Sequence, residues 1–101
     1  MRRFALTPAA KADLAEISDF IEKDSPRAAK RVRAELRAAM ARLADMPTMG
    51  HLREDLTSEP MRFWSVYSYL IVYRPDTRPI QVLRVVHGAR DVKRILAGQW
   101  S

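Results

Sequence analysis

Residues 61–91 read MRFWSVYSYLIVYRPDTRPIQVLRVVHGARD and carry the clearest strand pattern in the sequence. β-Branched and aromatic residues dominate three segments of it, 62–66, 69–74 and 80–87, so each is predicted to be a strand. The segment PDTRP at residues 75–79 has the composition of a turn and predicts a hairpin between the last two strands. Consecutive strands with short connections indicate an antiparallel sheet.

Two helices are predicted before this sheet. Thr-Pro at residues 7–8 and Ser-Pro at residues 25–26 each place an N-cap before a proline, which suits the first helical position because its missing N–H is not needed there. The first helix should end near Lys23 and the second before Pro47. Apolar residues recur every three or four positions: Leu14, Ile17, Ile21, then Val32, Leu36, Ala39, Leu43 and Met46. So short a connection between helices predicts an antiparallel hairpin.

The ends of the chain complete a predicted order of β-α-α-β-β-β-α. Residues 2–6 are predicted to add a strand, and Asp91 is predicted to begin a short helix that runs through Leu96 and is closed by Gly98. The fold class is therefore α+β, with the helical hairpin packed on an antiparallel sheet of about four strands. At 101 residues the chain is expected to form a single domain, 1–101.

Composition limits the possible functions. Hydrophobic residues make up 48% and charged residues 30%, as in ordinary globular domains. The absence of cysteine excludes disulfides, thiolate nucleophiles and sulfur-ligated zinc. Without a membrane-spanning or signal segment, the protein is expected in the cytoplasm and away from membranes. The net charge of +6 favours an acidic partner, either nucleic acid or protein.

The two helices carry opposite charge. Residues 8–23 hold four acidic and two basic side chains, whereas residues 25–46 hold six basic and two acidic ones. We expect these charges to be solvated faces that attract each other across the hairpin. Asp13 and Glu16 are interpreted as part of such a solvated face.

A basic cluster near the end of the sheet is the strongest candidate site. No glycine-rich phosphate loop, HExxH or GxSxG motif is present, and two histidines cannot form a histidine-rich metal site. Guanidinium groups suit phosphate oxygens and carboxylates equally, so this cluster could bind nucleic acid or an acidic protein. Alternatively, Arg90 and Asp91 could stabilise the turn that follows the last strand, with His87 hydrogen-bonded inside it. The cluster consists of Arg84, His87, Arg90, Asp91, Lys93 and Arg94, with Arg62, Arg74 and Arg78 in the sheet.

The sequence resembles the ParE/RelE family of bacterial toxins over roughly residues 4–97, and most closely its ParE-like branch. Several motifs, in matching order and spacing, carry the resemblance: LTPAA (6–10), SPxAA (25–29), PxxGxxRxDL (47–56), RFWxV (62–66), YLIVYR (69–74) and VLRVVHGARD (82–91). The resemblance implies a toxin of a type II toxin-antitoxin pair. It also implies a cognate antitoxin, of ribbon-helix-helix ParD-like type, that forms a hetero-oligomer with the toxin and makes any contact with DNA.

The family includes two activities. RelE-like members cut mRNA on the ribosome, often with a C-terminal tyrosine or histidine, whereas ParE-like members inhibit DNA gyrase. Because no tyrosine or histidine follows Arg90, the resemblance favours gyrase inhibition without catalytic residues, cofactor or metal. The alternative is an mRNA endonuclease in which His87 transfers protons and Arg90 or Arg84 stabilises the phosphorane. A third possibility, supported only by the net charge, is an inert or antitoxin-dependent DNA-binding module.

The binding residues are predicted in two groups. Aliphatic and aromatic side chains should receive apolar anchors of the antitoxin or target, and basic side chains should meet acidic groups around them. The first group is Trp64, Tyr69, Leu70, Leu36 and Met40; the second is Arg62, Arg74, Arg84, His87 and Arg90.

Overall fold

The computed structural model of the chain describes residues 3–53 and 60–88. In chain order the elements are β1 (Phe4–Leu6), α1 (Pro8–Glu22), α2 (Pro26–Asp45), β2 (His51–Leu52), β3 (Arg62–Val66), β4 (Tyr69–Arg74) and β5 (Ile80–His87). The three strands predicted within residues 61–91 and both helices are confirmed. The helix predicted over residues 91–96 lies outside the described residues.

Both helices begin at the predicted caps. The Thr7 hydroxyl accepts a hydrogen bond from the Ala10 amide at 3.0 Å, and the Ser25 hydroxyl accepts one from the Ala28 amide at 3.1 Å. Each bond satisfies an amide that the first turn of a helix leaves without a partner. The Thr7 hydroxyl also donates to the Leu83 carbonyl at 2.8 Å, which fixes the start of α1 against β5. Within the described residues, no helix is long and apolar enough to cross a membrane.

The sheet is larger than predicted and is not purely antiparallel. Its strand order is β1-β5-β4-β3-β2, so β4 is the central strand and β5 lies between it and β1. β2, β3, β4 and β5 pair antiparallel, but β1 runs parallel to β5, with Phe4 opposite Ile80. The direction of a three-residue strand cannot be read from its composition, and the two exposed residues of β2 have no hydrophobic alternation to reveal them.

Apolar side chains are buried on both faces of the sheet. The helical hairpin covers one face, where the buried set is Ala10, Leu14, Leu36, Ala39, Met40 and Leu43 from the helices with Ile71, Tyr73, Ile80, Val82 and Val85 from β4 and β5. A second cluster consists of Met61, Phe63, Leu70, Val72 and Val86, packed by Leu83. The pairing of β4 with β5 shifts register between Val72 and Tyr73 and skips Leu83, so β5 contains a bulge next to α1.

Tyr73 connects the centre of the sheet to the segment that follows α2. Its side chain is fully buried, and its hydroxyl accepts from the Gly50 amide at 2.9 Å and donates to the Pro47 carbonyl at 2.6 Å. A Cβ atom on Gly50 would lie 2.8 Å from Tyr73 Cε1, so glycine is needed for this close approach. Burial raises the pKa of the Tyr73 phenol above its ordinary value, against the opposing effects of the Gly50 hydrogen bond and the Arg62 charge.

Candidate functional site

Arg84, which is partly buried, forms an ion pair with the buried carboxylate of Asp13 in α1. Its Nε donates to Asp13 Oδ2 at 2.7 Å and its Nη2 donates to Oδ1 at 2.9 Å, a bidentate arrangement. Asp13 Oδ2 also accepts from the Val85 amide at 2.9 Å, next to the bulge. The hydrogen bonds from Arg84 to Asp13 raise the pKa of the Arg84 guanidinium, while burial opposes the shift. Arg84 therefore joins β5 to α1 inside the molecule.

The interpretation of Asp13 as part of a solvated face is wrong. Asp13 is 8% exposed and receives three hydrogen bonds from β5. A sequence signal was available, because Asp13 lies three residues after Ala10 and next to Leu14, on the buried face of the helix. A carboxylate at such a position needs a partner, since an unpaired buried charge is strongly destabilising.

His87 lies at the end of β5, exposed and beside the turn between β3 and β4. Its Nε2 is 3.0 Å from the Ser68 hydroxyl, and its ring contacts the Tyr69 ring edge-on with centroids 5.2 Å apart. The structure therefore brings two of the predicted residues, Tyr69 and His87, into contact. Ser68 was not predicted, because a lone serine in a turn gives no signal. Within residues 3–53 and 60–88, no group of three or more histidine, aspartate or glutamate side chains could hold a metal ion.

The other predicted arginines are in different surroundings. Arg62 is half-buried and donates to the Gly50 carbonyl at 2.7 Å, so it stabilises the same segment as Tyr73. Arg74 is exposed, and its Nε lies 3.6 Å from Asp76 Oδ1. It is at the opposite end of β4 from Tyr69, about 17 Å away for five residues of strand. Arg90 lies outside the described residues.

Trp64 and Tyr69 are half-buried and pack against the edge of the core under the helices. The Trp64 ring stacks on His51 of β2, with centroids 6.1 Å apart and planes inclined by 17°. Each ring therefore has an exposed part that a partner can cover.

Leu36 and Met40 do not offer such a surface. Both are 0% exposed and belong to the core between α2 and the sheet, and Leu70 is 8% exposed in the second cluster. Leu36 and Met40 were predicted as receivers for a partner because the apolar stripe of a helix has the same pattern whether it faces the core or a groove. A partner could reach Leu36 or Met40 only by separating the helical hairpin from the sheet.

The predicted attraction between the oppositely charged helices does not take the form of ion pairs in the described part of the chain. The described residues contain no ion pair between α1 and α2; the polar contact between them is a hydrogen bond from Arg33 Nη1 to the Ser18 hydroxyl at 3.1 Å. The six basic side chains of α2 are all exposed. Next to them, a cleft of about 330 Å³ between the helices is lined by Leu6, Lys11, Leu14, Ala15, Ser18, Asp19, Arg33 and Arg37.

Comparison with known proteins identifies the family. The family model described as "ParE toxin of type II toxin-antitoxin system, parDE" matches residues 4–92. A protein of Sinorhizobium fredii (strain NBRC 101917 / NGR234), named "Putative toxin Y4kP", is 32% identical over 95 residues, which cover 94% of this chain and 97% of that protein. The solved structure "Chromosomal ParDE TA system from P. aeruginosa" has the same fold, with a TM-score of 0.70, 20% identity and coverage of 84% of this chain and 94% of that one. The chain therefore belongs to the ParE toxin family of type II toxin-antitoxin systems.

Proposed function

We propose that this ParE-family protein is a toxin that acts in the cytoplasm by inhibiting DNA gyrase, without catalysing a reaction, and that a cognate antitoxin neutralises it. Membership of the family supports the first part, because the matching model covers residues 4–92. The choice of gyrase over mRNA depends on the chemistry that the described residues offer.

The engagement of Arg84 supports a mechanism without catalysis. In the nuclease alternative, Arg84 or Arg90 stabilises a phosphorane next to His87. The Arg84 guanidinium, however, donates hydrogen bonds from Nε and Nη2 to the Asp13 carboxylate. Three N–H groups of the guanidinium remain for other ligands. Its positive charge is nonetheless already balanced by the Asp13 carboxylate, so it would stabilise the negative charge of a phosphorane less than an unpaired arginine does. His87 keeps a Ser68 hydroxyl and a Tyr69 ring as neighbours, and these supply no positive charge.

Parallel assays on the purified full-length chain test this proposal. We expect inhibition of DNA supercoiling by gyrase and no cleavage of mRNA on translating ribosomes. His87→Ala, with His51→Ala as the matched control, separates the mechanisms further. In a nuclease that uses His87 as acid or base, only His87→Ala should lower cleavage, by about 10²-fold or more. Codon-positioned mRNA cleavage with no effect on gyrase would overturn the proposal.

The antitoxin is proposed to be ribbon-helix-helix and ParD-like, to form a hetero-oligomer with the toxin, and to contact the exposed parts of Trp64 and Tyr69. Acidic side chains of the antitoxin would pair with Arg74 at the rim of this interface. They would also pair with the exposed parts of Arg62 and His87. Half-buried aromatic rings supply apolar area at low entropic cost, whereas exposed charges mainly steer association.

A comparison of two variants tests this division of roles. Trp64→Ala should raise the dissociation rate of the toxin-antitoxin complex by about 30-fold, the effect of losing about 2 kcal/mol at a buried anchor. Arg74→Ala should mainly slow association, and the effect should disappear at high salt. A complex that dissociates completely in about 0.5 M salt would mean that the interface is mainly ionic and that Trp64 is not an anchor.

A further inference from the structure

The outward face of α2 is a continuous basic surface. Its six basic side chains are all exposed: Arg27, Lys30, Arg31, Arg33, Arg37 and Arg42. The first and the last are fifteen positions apart, which places them about 22 Å apart along a helix that rises 1.5 Å per residue. No lysine or arginine of this helix is needed for the core, because the buried residues of α2 are all apolar.

The two carboxylates of α2 leave most of this charge uncompensated, because six basic side chains face two acidic ones and neither carboxylate pairs with a basic residue of the helix. Glu35 accepts a hydrogen bond from the Tyr67 hydroxyl, and Asp45 forms an ion pair with Arg3. Among residues 3–53 and 60–88, none of the six basic side chains of α2 makes an ion pair. Their charge is therefore available to a partner.

The cleft between the helices extends the basic surface beyond α2. Lys11 of α1 lies on its wall together with Arg33 and Arg37, against the single acidic side chain of Asp19. Arg33 and Arg37 are one turn apart, about 6 Å. Arg33 is oriented by its hydrogen bond to Ser18, a residue only 5% exposed. Three cations from two helices thus converge on one concave surface.

We propose that Lys11, Arg33 and Arg37, with the rest of the outward face of α2, bind the phosphate backbone of duplex DNA. The helix holds its lysines and arginines over a length of about two-thirds of a helical turn of duplex, so several of them can reach successive phosphates. No aromatic ring lines the cleft, so it lacks the stacking surface by which proteins hold single-stranded RNA. The contacts are to backbone, so binding is independent of sequence. This role goes beyond the proposed inhibition of gyrase and does not require it.

Binding of the full-length chain to a labelled duplex of about two helical turns, measured by fluorescence anisotropy over a range of salt concentrations, tests the proposal. The cleft variant combines Lys11→Gln, Arg33→Gln and Arg37→Gln. The matched control combines Lys23→Gln, Arg74→Gln and Arg78→Gln, which removes the same three charges elsewhere on the surface. Single-stranded RNA and a poly-glutamate peptide serve as competing polyanions. Circular dichroism verifies that each variant is folded.

We expect the cleft variant to bind the duplex at least about tenfold more weakly near 0.1 M salt and to lower the slope of log K against log salt by about 3, since each phosphate contact contributes about 0.9. The control should change affinity by less than about twofold. Equal losses in both variants would attribute binding to net charge and overturn the proposal. So would stronger binding to RNA or to poly-glutamate than to the duplex. If the cleft variant does not fold, Arg27→Gln with Lys30→Gln gives the same test, with a slope lowered by about 2.

Discussion

Carboxylates and basic side chains have opposite roles in two regions of the molecule. One region is the contact between α1 and β5, and the other is the outward face of α2. At the first, Asp13 is buried, Arg84 is partly buried, and the two bind each other. At the second, the carboxylates Glu35 and Asp45 are bound from outside the helix, and the lysines and arginines remain in solvent. Burial, and not residue type or spacing, therefore determines whether a charged side chain stabilises the fold or remains available to a partner.

Asp13→Asn should have the largest effect on stability. The substitution removes the negative charge that faces Arg84, and the amide nitrogen that replaces one oxygen cannot accept a hydrogen bond. We expect the free energy of unfolding to fall by about 3 kcal/mol, as when one partner of a buried ion pair is removed. Urea denaturation measures this loss.

Glu16→Gln is the matched control for Asp13→Asn, because Glu16 is an exposed carboxylate on the same helix. Its free energy of unfolding should change by no more than about 0.5 kcal/mol. Equal losses for the two variants would mean that the ion pair between Asp13 and Arg84 stabilises the protein no more than an exposed carboxylate does.

Tyr73→Phe should have the next largest effect. The change leaves the buried Gly50 amide and Pro47 carbonyl without the hydroxyl that joins them. We expect a loss of about 2 kcal/mol in the free energy of unfolding at neutral pH. Tyr67→Phe, in an exposed residue, is the control and should cost less than about 1 kcal/mol.

The difference in free energy of unfolding between wild type and Tyr73→Phe is expected to depend on pH. Burial raises the pKa of the Tyr73 phenol, so the folded state keeps this proton at pH values where the unfolded chain releases it. The contribution of the phenol is then fully present below the unfolded pKa of about 10 and is lost as the pH rises through the folded pKa. The stability difference between wild type and Tyr73→Phe should therefore narrow above about pH 10, as urea denaturation at successive pH values would show. A widening difference would contradict the direction of the shift.

The smallest effect is expected on the outward face of α2. Replacing Arg27 and Arg31 by glutamine should change the free energy of unfolding by less than about 0.5 kcal/mol, because both are exposed and make no ion pair among the described residues. The direction should be a slight gain, since like charges repel along the helix. A loss above about 1 kcal/mol, seen as a lower midpoint in thermal denaturation, would show that these arginines stabilise the fold.

Most of the fold could be predicted because local signals determine it. Thr7 and Ser25 mark helix starts through hydrogen bonds that involve only their own neighbours, and β-branched residues mark β3, β4 and β5. The parallel direction of β1 was missed because it depends on pairing between Phe4 and Ile80, which no local pattern encodes.

The candidate site was less predictable because it depends on contacts between distant residues. Arg84 was predicted as a binding residue from its charge, yet its partner Asp13 is 71 positions away in the sequence. Leu36 and Met40 were assigned to a surface that the sheet covers. Tyr69 and His87, by contrast, are neighbours because antiparallel pairing of β4 with β5 sets them opposite each other.

The parallel pairing of β1 with β5 also has a consequence for synthesis on the ribosome. The two helices can associate as soon as residue 45 has emerged, but β1 pairs in the sheet only with β5, which begins at Ile80. The carboxylate of Asp13 likewise has no hydrogen-bond partners in the sheet until Arg84 and Val85 have been synthesised. A nascent chain that stops before residue 80 therefore lacks β5 and the ion pair that attaches α1 to it. The chain can acquire its native surface only after β5 has been synthesised, so no shorter nascent chain displays the surface that the folded protein presents to a partner.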